Sequence, residues 1–575
     1  TTDSPAIQFL EGLLSDGNNN TTTTLSSATP QLKPARVPPP SQIALLNSLI
    51  IHPSYTSRAF GANNLHVAAQ SLAYLRDLLS VVGPVNANLR AAFTFGNSSS
   101  GSGRSTRPPP DSDEYDKDGG GWSSSSSTSA SDLIESKLAR EHSIWRRASD
   151  FWAALGWAFR CAAAHPQRWR HWKVWLEYMV DVLEADWDGR LEMEDDNNNN
   201  NNNNNDDDDD DDDNDNDNEE EGEGKESWYA SLRQSLLAGY LGDLRRERKN
   251  TLREVLRALM AFVDDDDGSD RVVFKEVFEG EAVVVGSDSK GKRKRAPTVD
   301  LEKGEFGDYL DGDNGGPKNV ATGRRRGKPP KTAAAAAAAG MSKKSSPTTN
   351  GTGTDTATGF AFRVSDSMAE TVPLRLRLFR LLSAASFYIP DVFTPVGDLY
   401  EQFADRVRSL PLPMFRLFIA SHATPLPDFA HVSLLRGMID KMLPSSGGSG
   451  GRPSPASADP EVDAKAGVSV PMMEKCFLPF AAGRVTVEEN AKLSLVLENM
   501  LWYIYGYRDV VIPYTKGLRM AVEKGIRARE DKVKRRGVGG GDGQQAAVDR
   551  AAREVLDRSA RSLRLLVDVV EAQDS

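Results

Sequence analysis

Six stretches of this chain are unable to build a core, and they decide what the rest can become. Residues 17–40, 96–131, 194–226, 286–359, 444–467 and 536–546 consist almost wholly of Gly, Ser, Thr, Asn, Asp, Pro, Ala or basic residues, and together they take 202 of 575 positions. Such segments bury too little apolar surface to offset the entropy of ordering them, so each is expected to be disordered. Folding is left to the other 373 residues, enough for one large or two ordinary domains. The expected order is an N-terminal helix and linker (1–40), a helical block (41–95), a linker (96–131), a Trp-rich helical hairpin (132–193), an acidic Asn/Asp insert (194–226) and a helical block (227–285). A basic insert (286–359), a C-terminal helical block (360–535, with 444–467 as a disordered loop), a Gly-rich linker (536–546) and a terminal helix (547–575) complete it.

Charge divides along the same lines. The formal net charge is −12, yet residues 194–221 hold sixteen Asp and Glu and no Lys or Arg. Removing that stretch turns −12 into +4, so the foldable part is nearly balanced and is not an acidic surface that repels nucleic acid. Two cysteines, Cys161 and Cys476, are too few for a disulfide framework, and each sits in an apolar stretch that suits a small buried thiol. No basic-then-apolar leader opens the chain and no apolar run reaches 18 residues, so the expectation is a soluble intracellular protein with no membrane partner.

Every foldable block carries only the helical period. Ile7, Leu10 and Leu14 follow Ser4-Pro5; Leu65, Ala68, Leu72, Leu75, Leu79 and Val82 make one stripe of a helix ending before Gly83-Pro84. Seven of the ten tryptophans lie between 145 and 187. Trp145, Trp152 and Phe159 are seven apart, which predicts one helix from about Asp132 to Ala164. His165-Pro166 then turns the chain into a second helix carrying Trp172, Trp175, Met179 and Leu183. Residues 271–278 read equally as a strand or a helical turn. Val396–Ser409, Pro413–Ala423 and Phe429–Leu443 are separated by proline turns, and Tyr514–Arg535 starts amphipathic and finishes basic. The fold class expected is all-α: an irregular α-solenoid-like helical array with long disordered inserts, although no fixed repeat period recurs.

Trp172-Lys-Val-Trp175-Leu-Glu-Tyr178 resembles the first helix of a half-a-TPR repeat, which uses Trp and Tyr three apart. The resemblance spans roughly 25 residues and implies an RNA-processing scaffold. A Trp-rich packing core is the reading these residues favour over that resemblance.

Chemistry is not legible. None of the seven histidines lies in an H-x-x-x-H arrangement, Cys161 and His165 make only a single pair four residues apart where a zinc site needs about four ligands, and no nucleophile elbow, P-loop or dinucleotide fingerprint occurs. His52-Pro53 and His165-Pro166 are placed where an imidazole can meet the last helix carbonyls. No catalytic residue, cofactor or metal is expected. The basic insert says more. Lys290, Lys292, Arg293, Lys294 and Arg295 form a compact exposed cluster suited to an import receptor's acidic groove. Arg324, Arg325, Arg326, Gly327, Lys328, Pro329 and Lys331 form a second, whose Arg326-Gly-Lys-Pro329 centre resembles an AT-hook. Glycine there lets the backbone enter a narrow minor groove, and the cations follow its negative potential. Ser346-Pro347 is a candidate phosphorylation site beside these charges.

The reading that results is a non-enzymatic nuclear scaffold or adaptor of a chromatin-associated complex. Protein partners would meet a surface containing Trp145, Trp152, Trp169, Trp172 and Trp175, and the basic insert would touch DNA. An RNA-processing or ribosome-biogenesis scaffold, and a regulatory subunit or enzyme with a dispersed site, stand as alternatives.

Overall fold

The computed structural model describes residues 3–18, 36–96, 134, 136–202, 229–246, 250–261, 274–282, 364–420, 424–446, 451–506, 514–534 and 543–573. Among these the regular structure is helical throughout, with no strand. The principal helices are α1 (Asp3–Asn18), α2 (Pro40–Ile51), α3 (Ala62–Val81), α4 (Phe151–Ala164), α5 (Pro166–Asn202), α6 (Leu236–Arg246) and α7 (Thr251–Leu259). After the basic insert come α8 (Thr371–Tyr388), α9 (Val396–Ser409), α10 (Leu412–Ile419), α11 (Asp428–Met442), α12 (Val487–Gly506), α13 (Lys516–Lys534) and α14 (Gly543–Gln573).

Local chemistry sets the helix boundaries. Asp150 starts α4 by accepting from the Ala153 amide at 2.7 Å, and Asn250 starts α7 by accepting from the Arg253 amide at 3.0 Å; each satisfies one of the orphan donors at a helix start. Pro40 opens α2 and Pro413 lies in the first turn of α10, where the missing amide hydrogen costs nothing. A π-helical turn, Met473–Phe477, interrupts the chain before α12 and directs Cys476 and Phe477 inward.

α5 is the hub of the N-terminal part: α2, α4, α6 and α8 all pack on it, while α1 lies on α3 and α3 on α2. From α8 the contacts pass to α9, then α11, then α12; α14 lies along α12 and also covers α13. The apolar interior is one cluster running from Ile7 to Val567. All described residues therefore belong to a single compact unit.

Several expectations change. The helix expected from 132 to 164 is broken: a short turn, Ile144–Arg147, ends at Ala148, and α4 begins at Phe151. Ser149-Asp150 is the signal that the seven-residue spacing of Trp145 and Trp152 concealed. The segment 274–282 is neither strand nor helix. In the expected loop 444–467, residues 451–467 fold into two short helices, Pro455–Ala458 and Pro460–Ala464. Arg452 is buried there, 5.7 Å above the Phe477 ring, with Arg436 over the same ring at 4.9 Å. α5 continues past the expected boundary at 193, and α14 starts inside the expected Gly-rich linker.

Candidate functional site at the base of the basic insert

The described chain leaves the framework at Ala282 and returns at Val364. Both edges of that gap close on the first two turns of α5. On the outgoing side, 274–282 lies as an irregular strap across α4 and α5. Phe274 occupies the space beside Gly156, where a Cβ would collide with its ring, and Arg160 donates to the Phe274 carbonyl at 3.1 Å. Val277 and Phe278 are buried.

Glu281 is the anchor of the strap. One carboxylate oxygen accepts from the Val277 and Phe278 amides at 3.2 and 3.1 Å. The other accepts from Arg168 Nε and from the Trp172 indole at 3.3 Å. Arg168 spends its remaining donors on Thr56 Oγ1, at 2.8 Å, and on the Ile51 carbonyl. The ion pair is sealed, its side chains 2% and 0% exposed. Burial pulls Arg168 below the usual guanidinium range, and Glu281 opposes that pull. Burial also pushes the neighbouring Cys161 thiol far up, with the Glu281 charge adding to it, so the thiol stays protonated.

The returning side repeats the device. Ser365 caps the entry turn by accepting from the Met368 amide at 3.3 Å. Glu370, immediately before α8, accepts from the Trp169 indole at 3.0 Å and faces Lys173 Nζ at 3.4 Å. One turn later Arg375 donates to Thr371 Oγ1 at 3.0 Å, to the Ala261 carbonyl at 3.0 Å and to the Leu259 carbonyl. Its guanidinium lies 3.8 Å from the Phe159 centroid. Burial alone lowers Arg375 to about 9, and its carbonyl acceptors lie at the end of α7 and just past it.

The tryptophans were expected to form a partner surface, and the structure overturns that expectation. Trp145, Trp152, Trp169, Trp172 and Trp175 are all at most 4% exposed. Their indoles donate in turn to the Ala44 carbonyl (3.1 Å), the Tyr240 carbonyl (3.1 Å), Glu370, Glu281 and Asn47 Oδ1 (2.8 Å). Sequestering each indole removes about 200 Å² from water, roughly 5 kcal/mol before entropy, against about 1 kcal/mol net for its hydrogen bond. Packing therefore supplies the stability, and the bond fixes which element each ring faces. Trp172, Trp175 and Tyr178, the residues of the half-a-TPR resemblance, lie in this core.

No family model matches the chain, and no curated protein does.

His52 also departs from expectation. Its Nδ1 accepts from the Ser54 amide at 3.3 Å, capping the short turn Pro53–Tyr55 instead of meeting the carbonyls of α2. His165 acts through its backbone, donating to Cys161 O at 2.8 Å and accepting from Arg168 and Trp169 as α5 begins. Beside the returning edge, a groove of about 420 Å³ between α3, α5 and α8 is lined by Arg76, Lys173, Glu177, Asp181, Glu370 and Arg377. Most of its charges are paired, Lys173 with Glu177 and Glu370 and Arg377 with Asp181 at 2.7 Å and with Glu184. Among the described residues no group of three or more His, Cys, Asp and Glu could hold a metal ion, and no helix is long and apolar enough to cross a membrane. The import cluster Lys290, Lys292–Arg295, the AT-hook-like run Arg324–Lys331 and Ser346 lie outside the described residues.

Sequence reasoning missed Arg168, Glu281 and Glu370. The available signal was slight: Arg168 stands one residue before Trp169 in an otherwise polar run, and Glu281 three after Phe278 and directly before the apolar Ala282–Val285.

Proposed function

We propose that this protein is a non-enzymatic nuclear scaffold or adaptor subunit of a chromatin-associated complex. Protein partners bind its helical framework, and the basic insert carries the import signal and a DNA contact. The observation that carries this reading is the continuity of the core, from Ile7 to Val567. A framework packed in one piece presents its outer helix faces in fixed relation to one another, which suits simultaneous engagement of several partners. The paired anchors on α5 fit the same reading, because they hold both ends of the basic insert to that framework.

Replacing Lys292, Arg293, Lys294 and Arg295 by Ala in the full-length chain is expected to abolish nuclear accumulation. Affinity purification of the tagged protein, with DNase and RNase arms, is expected to return protein partners that DNase releases from chromatin. Retention of nuclear localisation by the substituted chain, or release by RNase alone, refutes the proposal.

A further inference from the structure

We propose that Ser454 is a phosphorylation site for a proline-directed protein kinase, and that Arg452 receives the phosphate. Four Ser-Pro or Thr-Pro pairs fall among the described residues: Ser4-Pro5, Thr394-Pro395, Thr424-Pro425 and Ser454-Pro455. The first three hydroxyls are engaged or hidden. Ser4 donates to Gln70 at 2.7 Å, Thr394 is buried, and Thr424 Oγ1 accepts from the Leu426 amide at 3.2 Å. Ser454 is exposed and its side chain makes no capping bond. Its carbonyl, by contrast, is held: the Ser457 amide and hydroxyl donate to it at 3.0 and 2.6 Å, and Cys476 Sγ at 3.6 Å. The hydroxyl is thus displayed on a fixed main chain in an extended conformation, φ −68° and ψ 140°.

Arg452 supplies the independent observation. It is only 6% exposed, yet its Nε and Nη1 are buried without an acceptor. Its Nη2 reaches Asp440 at 3.3 Å, and the other oxygen of that carboxylate accepts from Arg436 at 2.7 Å. Arg436 bonds further to Asp463 at 2.7 Å and to the Gly467 carbonyl at 3.0 Å, so neither acid is left over for Arg452. Buried donors without acceptors are costly, and here they await an anion. Arg452 and Ser454 each precede a proline, which holds both residues extended. Their Cα atoms are then at most about 7 Å apart, within the span of an arginine and a phosphoserine. The phosphate brings a charge of about −2 and three acceptor oxygens.

In the reaction the Ser454 oxygen bonds to the γ-phosphorus of a nucleoside triphosphate as the bond to the β-phosphate oxygen breaks. The hydroxyl proton passes to the kinase's base, and the nucleoside diphosphate leaves. Pro455 is buried, so the kinase must lift it from its seat. Little resists that: no other residue of Pro455–Ala458 is buried, and none of Pro460–Ala464 is. Such a segment opens at low cost, and the bond from Arg452 to the phosphate closes it more firmly than before.

The test uses the full chain carrying Thr29→Ala and Ser346→Ala, which removes the two Thr/Ser-Pro pairs outside the described residues. It is treated with ATP and a proline-directed kinase that modifies an isolated 449–460 peptide, with Ser454→Ala alongside. Mass-spectrometric mapping is expected to place phosphate on Ser454 and not on Thr394 or Thr424. Amide hydrogen exchange across 454–467 is expected to slow about tenfold on phosphorylation, the effect of one charge-assisted hydrogen bond. The slowing is expected to vanish in Arg452→Gln bearing the same phosphate, with exchange in α12 certifying that this variant keeps its framework. A folded chain left unmodified at Ser454 overturns the site. Exchange unchanged or faster after phosphorylation, or slowed equally in Arg452→Gln, overturns the role of Arg452. The comparison of modified with unmodified chain needs no substitution at 452, so it decides even where that variant fails to fold.

Discussion

Buried ionisable side chains are where single residues govern the behaviour of this molecule. His52, His171 and His431 are each lowered to about 4, burial being the main cause. The folded state thus favours their neutral forms. As pH falls below the ordinary histidine value near 6.5, the unfolded chain takes up protons first, so stability present above that value is lost progressively on the way to about 4. Urea titrations at pH ~7 and ~5 are expected to show the loss; equal midpoints would contradict it. The Arg168–Glu281 pair gives a sharper outcome. Glu281→Gln leaves a buried guanidinium without its counter-charge and is expected to cost about 3–5 kcal/mol in denaturant unfolding. The double change Arg168→Met/Glu281→Leu should recover the part of that cost that comes from the stranded charge, while the Val277 and Phe278 amides and the Trp172 indole still lose their acceptor. If the double variant is no better than the single one, the penalty belongs to the buried donors left without an acceptor or to packing, and not to the stranded charge.

Caps and close approaches decide matters at the level of the helix. Asp150→Ala removes the acceptor that starts α4 and is expected to cost about 1 kcal/mol, read from the shift in the unfolding midpoint. Gly525→Ala should cost more, in the range of about 1–3 kcal/mol, because the new methyl meets a main-chain carbonyl that has little freedom to give way. At Gly156 the obstacle is the Phe274 side chain, which can swing. Helix existence was legible wherever the apolar period was long: the stripe from Leu65 to Val82 became Ala62–Val81, and Val396–Ser409 was read to the residue. Boundaries hidden inside apolar runs were not, since periodicity is blind to a cap such as Asp150. The candidate site was less legible still. Trp169 and Trp172 were visible, but their partners Glu370 and Glu281 lie 201 and 109 residues away in sequence. Nothing local announces such a pairing, and an aromatic cluster looks alike whether it faces water or a core.

A core shared by all fourteen principal helices implies that the whole framework unfolds together. Seven of the eight described tryptophans precede residue 188, whereas helix extends to Gln573. Tryptophan fluorescence therefore reports on the N-terminal part, and far-UV ellipticity on the whole. The two probes are expected to give coincident transitions; separated midpoints would divide the framework into independently folding parts. The anchors at 281 and 370 bear on how such a chain can change over generations. Because both are seated within one short stretch of α5, the two points where the framework meets the intervening segment are held by contacts that do not involve that segment. Insertions and deletions between the anchors are thus nearly invisible to the fold, and the residues there are free to respond to selection for what they bind.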